Sequence, residues 1–467
     1  MNKTRLLFIP YTFSNGGGAE KILQLLVNSL PSEKYEIDIQ EIEQFNKFLT
    51  LNDNVHLHQP MLNQKLPYKL FNDLNYILLL YFPSIIKSVY KLNNYDAVIS
   101  FNYQLPSFML PAFKTENKIA WFHGDLYDLQ DNEKKWERKK QNKVWSGAEK
   151  IITISNKSLQ SLKDIFPQYE NKTVIIHNGI DTKNIIDLSK EKCELPFKDI
   201  PFFCCVGRLD ENKNFILAVR ALAQLNKNGM QCGLVIVGEG YQKEILQKEA
   251  ESLTISDKIY FTGFQSNPYK YIVSSKALCV TSLSEGWPTV VMEAMALGKP
   301  FITTPVSGAS EELSDGGRCG LVSGYEVNDY ASALEKLLQD KKLYNQMCSN
   351  CLGHVKDYSV ENFKANFINL LNTLKNHNKD DKRNQSIKTA LSFLIYFLLL
   401  IFSVGEIVYR IRIINSRIKE KRIIKALKNV IYLSGIIILL PFTFVLKILF
   451  FPFFIRKIFI KSGKKCR

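Results

Sequence analysis

The chain has 467 residues, enough for two or three domains that each bury a core. Its apolar share of 46% and charged share of 23% are those of an ordinary folded protein. The net charge of +16 is unevenly spread: residues 386–467 hold sixteen Lys/Arg against Glu406 and Glu420, which leaves the rest nearly neutral. A nucleic-acid binder would carry positive potential on its folded recognition surface. Here the charge is interleaved with apolar runs, which suits anionic lipid, so no nucleic-acid partner is expected.

Nine cysteines lack the spacing of a disulfide framework and read as small buried hydrophobes of a reducing compartment. Cys348 and Cys351 form a C-x-x-C without a second pair, a histidine or a preceding strand, which reads as a helical coincidence. The opening apolar run is too short for a secretory signal and has no small-residue cleavage site, so the folded body is expected on the cytoplasmic side.

In chain order, short β-branched or aromatic runs predict strands at 5–10, 97–100, 118–122, 150–154 and 173–177, then at 201–206, 233–237, 259–262, 277–281 and 300–304. Helical-length amphipathic segments alternate with them, which predicts an α/β chain with two doubly wound, mostly parallel sheets. The organisation is 1–185 as a first Rossmann-like domain, 186–200 as linker and 201–357 as a second. Residues 358–376 follow as a helix with no sheet left to join, then 377–386 as an exposed connector and 387–467 as a hydrophobic, basic tail. The polar stretch from 181 to 200 lacks a clean period, which is why the linker is placed there. Uncharged runs at 390–404 and 430–446 are short to adequate for a hydrocarbon core about 30 Å thick. The stretch 410–428, from Arg410 to Lys428, carries eight Lys/Arg among isoleucines and fits a helix lying on anionic membrane lipids. A two-span hairpin and a single-leaflet arrangement both remain open.

Polar residues collect where strands end. Gly16, Gly17 and Gly18 follow the first strand, where glycines let backbone approach a ligand and a helix N-terminus offers amides to an anion. A tight turn accounts for them equally well. Gly238, after LVIV, is similarly incomplete as a phosphate motif. His123 ends the strand at 118–122 and can reach a sugar hydroxyl, although a lone histidine is more often structural. Arg208 and Lys213 follow the strand at 201–206 and can neutralise a diphosphate, although such cations are commonly solvated surface. The densest signal is SLSEGWPTVVMEAMALGKP. Pro288 suits the first helical position and Gly298 the stop, which puts Glu285 in the loop and Glu293 within the helix. The amides of Thr289 and Val290 then face the same cleft.

Taken together, GGGAEK, FHGD, ISNKSLQSL, VIIHNGID, VGRLDENKN, LVIVGEG, FTGF, the Glu-x7-Glu block from Glu285 to Glu293 and VSGASEEL resemble the retaining glycosyltransferases of family 4. The resemblance covers about residues 3–376 with order and spacing kept. It implies the GT-B fold, two facing Rossmann-like domains, with a nucleotide-sugar donor held mainly by the second. Arg208 and Lys213 would hold the donor diphosphate, Glu285 the sugar hydroxyls and Glu293 the ribose. The amides of Gly17 and Gly18 would close on the phosphate, His123 would face the sugar, and Phe264 would border the base. Gly286, Trp287, Pro288, Thr289 and Val290 would complete the donor site; Trp287 replaces a more usual Phe. The final helix would cross back to the first domain. No Asp-x-Asp occurs, in keeping with metal-independent transfer and no cofactor.

The tail makes a lipid-linked saccharide the expected acceptor, in capsule, lipopolysaccharide or similar glycan assembly, with UDP-sugars first and GDP-sugars second as donors. Lys134, Lys135, Arg138, Lys139 and Lys140 around Trp136, with YILLLYF at 76–82, form one candidate lipid-facing surface; a solvated helix face and a buried helix explain them as well. Two other functions fit parts of the pattern. A sugar-nucleotide epimerase of the same architecture would need no lipid acceptor, and a silent membrane scaffold would tolerate loss of Arg208, Lys213 and Glu293.

Overall fold

Two all-parallel sheets carry the fold. The computed structural model describes residues 3–374 except 14–17, 45–49, 64–68, 194 and 198–199, with backbone alone at 63, 69–71 and 73–74. All of these fall in one compact unit, Met1–Lys379. The expected connector and the basic tail lie outside the described residues. Among the described residues, no helix is long and apolar enough to cross a membrane.

The first sheet comprises β1 (Thr4–Ile9), β2 (Tyr35–Ile39), β3 (Val55–Leu57), β4 (Ala97–Ser100), β5 (Lys118–Trp121), β6 (Lys150–Thr153) and β7 (Thr173–Ile175), in the order β3-β2-β1-β4-β5-β6-β7. The second comprises β8 (Phe202–Val206), β9 (Gly233–Val237), β10 (Ile259–Gly263), β11 (Leu278–Val280), β12 (Phe301–Thr303) and β13 (Gly320–Val322), in the order β10-β9-β8-β11-β12-β13. Helices used below are α1 (Gly18–Ser29), α2 (Lys69–Tyr81), α3 (Lys135–Ser146), α4 (Thr182–Ser189), α5 (Phe215–Lys227), α6 (Thr289–Ala296) and α7 (Val360–Asn372). The central strands are apolar without alternation because helices cover both faces: Leu6, Leu7, Phe8 and Ile9 are all fully buried. In each sheet the strand order reverses beside the first strand, at β1/β4 and at β8/β11. Such switch points open a crevice at the carboxyl edge, where ligands of doubly wound sheets bind.

The stretch expected as linker holds α4. Asp181 caps it, its carboxylate accepting from the Asn184 amide at 3.0 Å, and Ile185 is buried. One anchoring isoleucine in eight residues is too little for a visible period. The last helix does cross back. Phe367 of α7 packs 5.8 Å from both Phe8 and Trp121, and the Ile180 amide donates to the Tyr358 carbonyl at 2.8 Å. A Cβ at Gly179 would lie 2.6 Å from Phe363, so glycine there lets α7 seat on the first domain.

Candidate active site

Three loops at the carboxyl edge of the second sheet lock together through glycine. A Cβ on Gly238 would sit 1.9 Å from the Gly207 carbonyl oxygen, and Gly238 holds φ +144, a backbone that side chains rarely adopt. The Gly238 amide in turn donates to the Gly263 carbonyl at 2.9 Å. Gly238 therefore serves by close approach, bringing the loops after β8, β9 and β10 into one rim. Arg208 stands on that rim with its side chain 84% exposed, 3.3 Å from Asp210. Phe264, after β10, is exposed beside it, as is Tyr241, whose hydroxyl accepts the Glu211 amide at 3.3 Å.

Lys213 turns inward. Its ammonium lies 2.5 Å from Glu285, and the Ser282 hydroxyl donates to the same carboxylate oxygen at 2.7 Å. The loops that carry the pair are tied by backbone as well: the Leu283 amide donates to the Asn212 carbonyl at 2.8 Å, and the Asn212 side chain donates to the Ser284 carbonyl at 2.9 Å. Asp210 accepts the Lys213 amide at 3.0 Å, and Thr281 donates to the Lys213 carbonyl at 2.7 Å. The pair is thus fixed before any ligand arrives. Ser282 and Asn212 were missed from sequence. The Ser-x-x-Glu spacing of Ser282 and Glu285 was the available signal, but it resembles an ordinary helix cap.

α6 begins one residue later than expected. Pro288 is extended, with ψ 97, so it is the N-cap and Thr289 the first helical residue; no side chain caps the turn. The amides of Thr289 and Val290 are left for an anion at the helix mouth. Glu293 lies a turn further in, partly exposed, with its carboxyl pushed above the usual range by burial and opposed by Lys21 of α1. Trp287 goes elsewhere than expected for a pocket wall. Its indole is buried, stacks on His177 at 4.8 Å and donates to the Met292 sulfur at 3.2 Å. Its ring holds the turn against the first domain.

The first domain approaches this turn directly. A Cβ on Gly286 would lie 2.9 Å from the His123 carbonyl oxygen and the Gly124 Cα, so only glycine permits the contact. The His123 ring packs on Phe101, with centroids 4.2 Å apart, and neither ring nitrogen finds a partner among the described residues. Burial drives its pKa down to about 3, so the imidazole is neutral near pH 7. Beside it a cavity of about 370 Å³ opens at the β1/β4 switch point, lined by Tyr11, Thr12, Glu20, Asn102, Tyr103 and Gln104. Gln104 is held at φ 62, ψ −127, its amide donating to buried Gln141 of α3 at 2.8 Å. Strain of this kind collects at ligand sites. Tyr11, Thr12, Asn102, Tyr103 and Gln104 were not singled out from sequence, because each is a lone polar residue in a loop; Glu20, in the GGGAEK run, lies in the first turn of α1. Gly18 starts α1 with open space beside its Cα; Gly17 lies outside the described residues.

The family description "Glycosyltransferase Family 4" matches residues 16–184, and "Glycosyl transferases group 1" matches residues 187–351. The chain belongs to the family-4 type of GT-B glycosyltransferases. It is 32% identical over 201 residues to an N-acetylgalactosamine-N,N'-diacetylbacillosaminyl-diphospho-undecaprenol 4-alpha-N-acetylgalactosaminyltransferase of Campylobacter jejuni, covering 43% of this chain and 53% of that protein. The chain thus spans about half the length of that relative. An uncharacterised glycosyltransferase of Haemophilus influenzae is 25% identical over 365 residues, covering 76% of this chain and 96% of its own. Among solved structures, Anabaena HepE in complex with UDP superposes with a TM-score of 0.65 at 17% identity, covering 79% of this chain and all of that one.

Proposed function

We propose that the protein is a retaining, metal-independent glycosyltransferase that moves a sugar from a nucleotide-sugar, a UDP-sugar first, to a lipid-linked saccharide during cell-surface glycan assembly. The observation that carries this reading is the Lys213–Glu285 pair at the uncapped mouth of α6, directly opposite His123. The acceptor is inferred from the lipid-diphosphate-linked saccharide in the name of the Campylobacter relative, and the UDP donor from the nucleotide bound in HepE.

In this reading Lys213, Arg208 and the amides of Thr289 and Val290 hold the donor diphosphate, while Glu285 and the neutral His123 hold the sugar and Glu293 the ribose. The acceptor oxygen bonds to the anomeric carbon on the face from which the diphosphate leaves, and the departing diphosphate takes up the hydroxyl proton. Catalysis is then positioning and stabilisation of leaving-group charge. The basic tail, with Arg410 to Lys428 against anionic lipid, holds the enzyme on the cytoplasmic face of the membrane. The test is a panel of UDP- and GDP-sugars with detergent-solubilised lipid extract and chelator, reading product mass and anomeric linkage. A product with inverted linkage, or transfer abolished by chelator, would refute the mechanism. Epimerised nucleotide-sugar with no lipid product would refute the transfer itself.

A further inference from the structure

The domains also meet away from the His123–Gly286 contact, and there the meeting residue is charged. The turn Ala309–Leu313, after β12, is of the wide π type. The Leu313 amide donates to the Gly308 carbonyl at 2.8 Å, and that of Ser314 to the Ala309 carbonyl at 3.0 Å. Such turns are rare and gather at functional places. One carboxylate oxygen of Glu312 accepts the Asn156 amide of the first domain at 2.6 Å. Asn156 opens the helix Asn156–Ile165, whose N-cap hydroxyl, on Ser155, meets that of Ser307 at 2.8 Å. The other Glu312 oxygen is shielded from solvent and has no partner among the described residues; burial pushes the carboxyl above its ordinary range. A carboxylate satisfied at one oxygen is costly to bury, and an apolar side chain of like volume often serves stability as well. Stability alone does not account for Glu312.

Contacts lead from this seam to the donor turn through both domains. In the second, the Thr304 hydroxyl donates to the Ser282 carbonyl at 2.6 Å, and a Cβ on Gly308 would lie 2.7 Å from the Trp287 ring. Ser282 and Trp287 stand on either side of Glu285 and Gly286. In the first, Ser161 of the same helix accepts the Leu126 amide at 3.1 Å. Leu126 is two residues past Gly124, the backbone that abuts Gly286. The contacts close a ring: from Glu312 through the helix to Gly124, across to Gly286, and back through Trp287 and Gly308. The seam thus constrains the turn that His123 faces. We infer that Glu312, with Ser307 beside it, is a positioning residue that sets the donor turn against His123 by holding the helix Asn156–Ile165. The coupling of seam and turn stands on these contacts; its effect on sugar transfer rests on the proposed function.

The test uses the full chain without ligand and Glu312→Leu, which keeps the volume and removes the acceptor. Asn156 is exposed, so its amide can turn to water, and the unfolding midpoint should move by no more than about 3 °C. Amide hydrogen exchange, read by mass spectrometry, should quicken at least about threefold both at 155–160 and at 284–290. Glu312→Gln still accepts through its amide oxygen and should return both segments to the parent rate. In the transfer assay, Glu312→Leu should lower kcat about tenfold and change KM for the UDP-sugar less than about twofold, with Glu312→Gln recovering the rate. Ser307→Ala leaves Glu312 in place and should give the same pattern more weakly, which decides the matter if Glu312→Leu does not fold. Faster exchange confined to 155–160, with the donor turn unchanged, overturns the proposal. So does a KM that rises as far as kcat falls. Exchange needs no acceptor, so coupled exchange in a chain that transfers no sugar supports the positioning role and counts against the proposed function alone.

Discussion

The two halves of the cleft come from the same kind of sheet and are finished in opposite ways. In the second domain the site is closed on itself: Lys213 pairs with Glu285, Ser282 supports the carboxylate, and Gly207 and Gly238 bring the loops into contact. In the first domain the polar groups line an open cavity. His123 has no hydrogen-bond partner among the described residues, Gln104 is strained, and the cavity wall is built from loop side chains such as Tyr11 and Tyr103, whose hydroxyls donate to Glu43 and Asp128. A preorganised charge pair suits a ligand part that is always the same, such as a diphosphate. Open polar walls suit the partner that differs between enzymes of one architecture, and this is where an acceptor would impose its order.

The sharpest test removes the preorganised half. Lys213→Ala deletes the cation that faces both Glu285 and the helix mouth. Loss of one positioned charge-stabilising group costs about 10²- to 10³-fold in kcat, and that range is expected here. The unfolding midpoint should move by no more than about 4 °C, because the side chain keeps part of its surface in solvent and Ser282 still donates to Glu285. Turnover near that of the parent would mean that the pair is only a structural tie between loops.

What could be read from the sequence follows the same division. Ten strands and both Rossmann-like halves were legible, because periodicity and glycine placement are local. β2 was not, since its sequence YEIDI carries two acids. Asp38 is nevertheless buried, with His58 at 3.5 Å, accepting from the Tyr95 hydroxyl at 2.5 Å and from Arg5 at 3.4 Å, and these partners, His58 first, hold its carboxyl below the ordinary range despite desolvation. Those contacts join residues up to 57 positions apart, which no window on the sequence covers. β13 is three residues at a sheet edge and gives no pattern. Trp287 was legible as important but not for its reason: the ring that stacks on it, His177, comes from the other domain. The C-x-x-C lies along a single helix, Lys341–His354. Cys348 and Cys351 are both free, and the buried Cys351 thiol donates to the Cys319 carbonyl at 3.3 Å.

A smaller effect tests the contact between the halves. Gly286→Ala puts a methyl 2.9 Å from the His123 carbonyl oxygen and the Gly124 Cα, both backbone atoms that cannot rotate aside. The domains must separate by a few tenths of an ångström or the turn must shift. Misplacement of that order should lower kcat about tenfold, while overpacking costs about 1–3 kcal/mol of stability. Nucleotide affinity, read by calorimetry, should change less than about twofold, since the second-domain loops keep their own ties. A loss of affinity equal to the loss of kcat would show that the first domain helps to hold the nucleotide itself.

The smallest effect concerns His123 and separates a neutral hydrogen-bonding imidazole from a titrating acid. Its folded pKa is about 3, against 6.5 for an ordinary histidine. Above pH 6.5 neither the folded nor the unfolded chain protonates it, and it adds no slope to stability. Between 6.5 and about 3 the unfolded chain takes a proton that the folded chain refuses, so stability falls as pH falls, by at most about 1.4 kcal/mol per pH unit. His123→Phe should flatten that part of the stability profile measured by denaturant titration between pH 4 and 6.5. The rate profile should show no step near 6.5 that this substitution abolishes. Such a step would mean that His123 is protonated in the working enzyme. The open half of the cleft would then carry a charge of its own, and its contrast with the second domain would narrow to geometry alone.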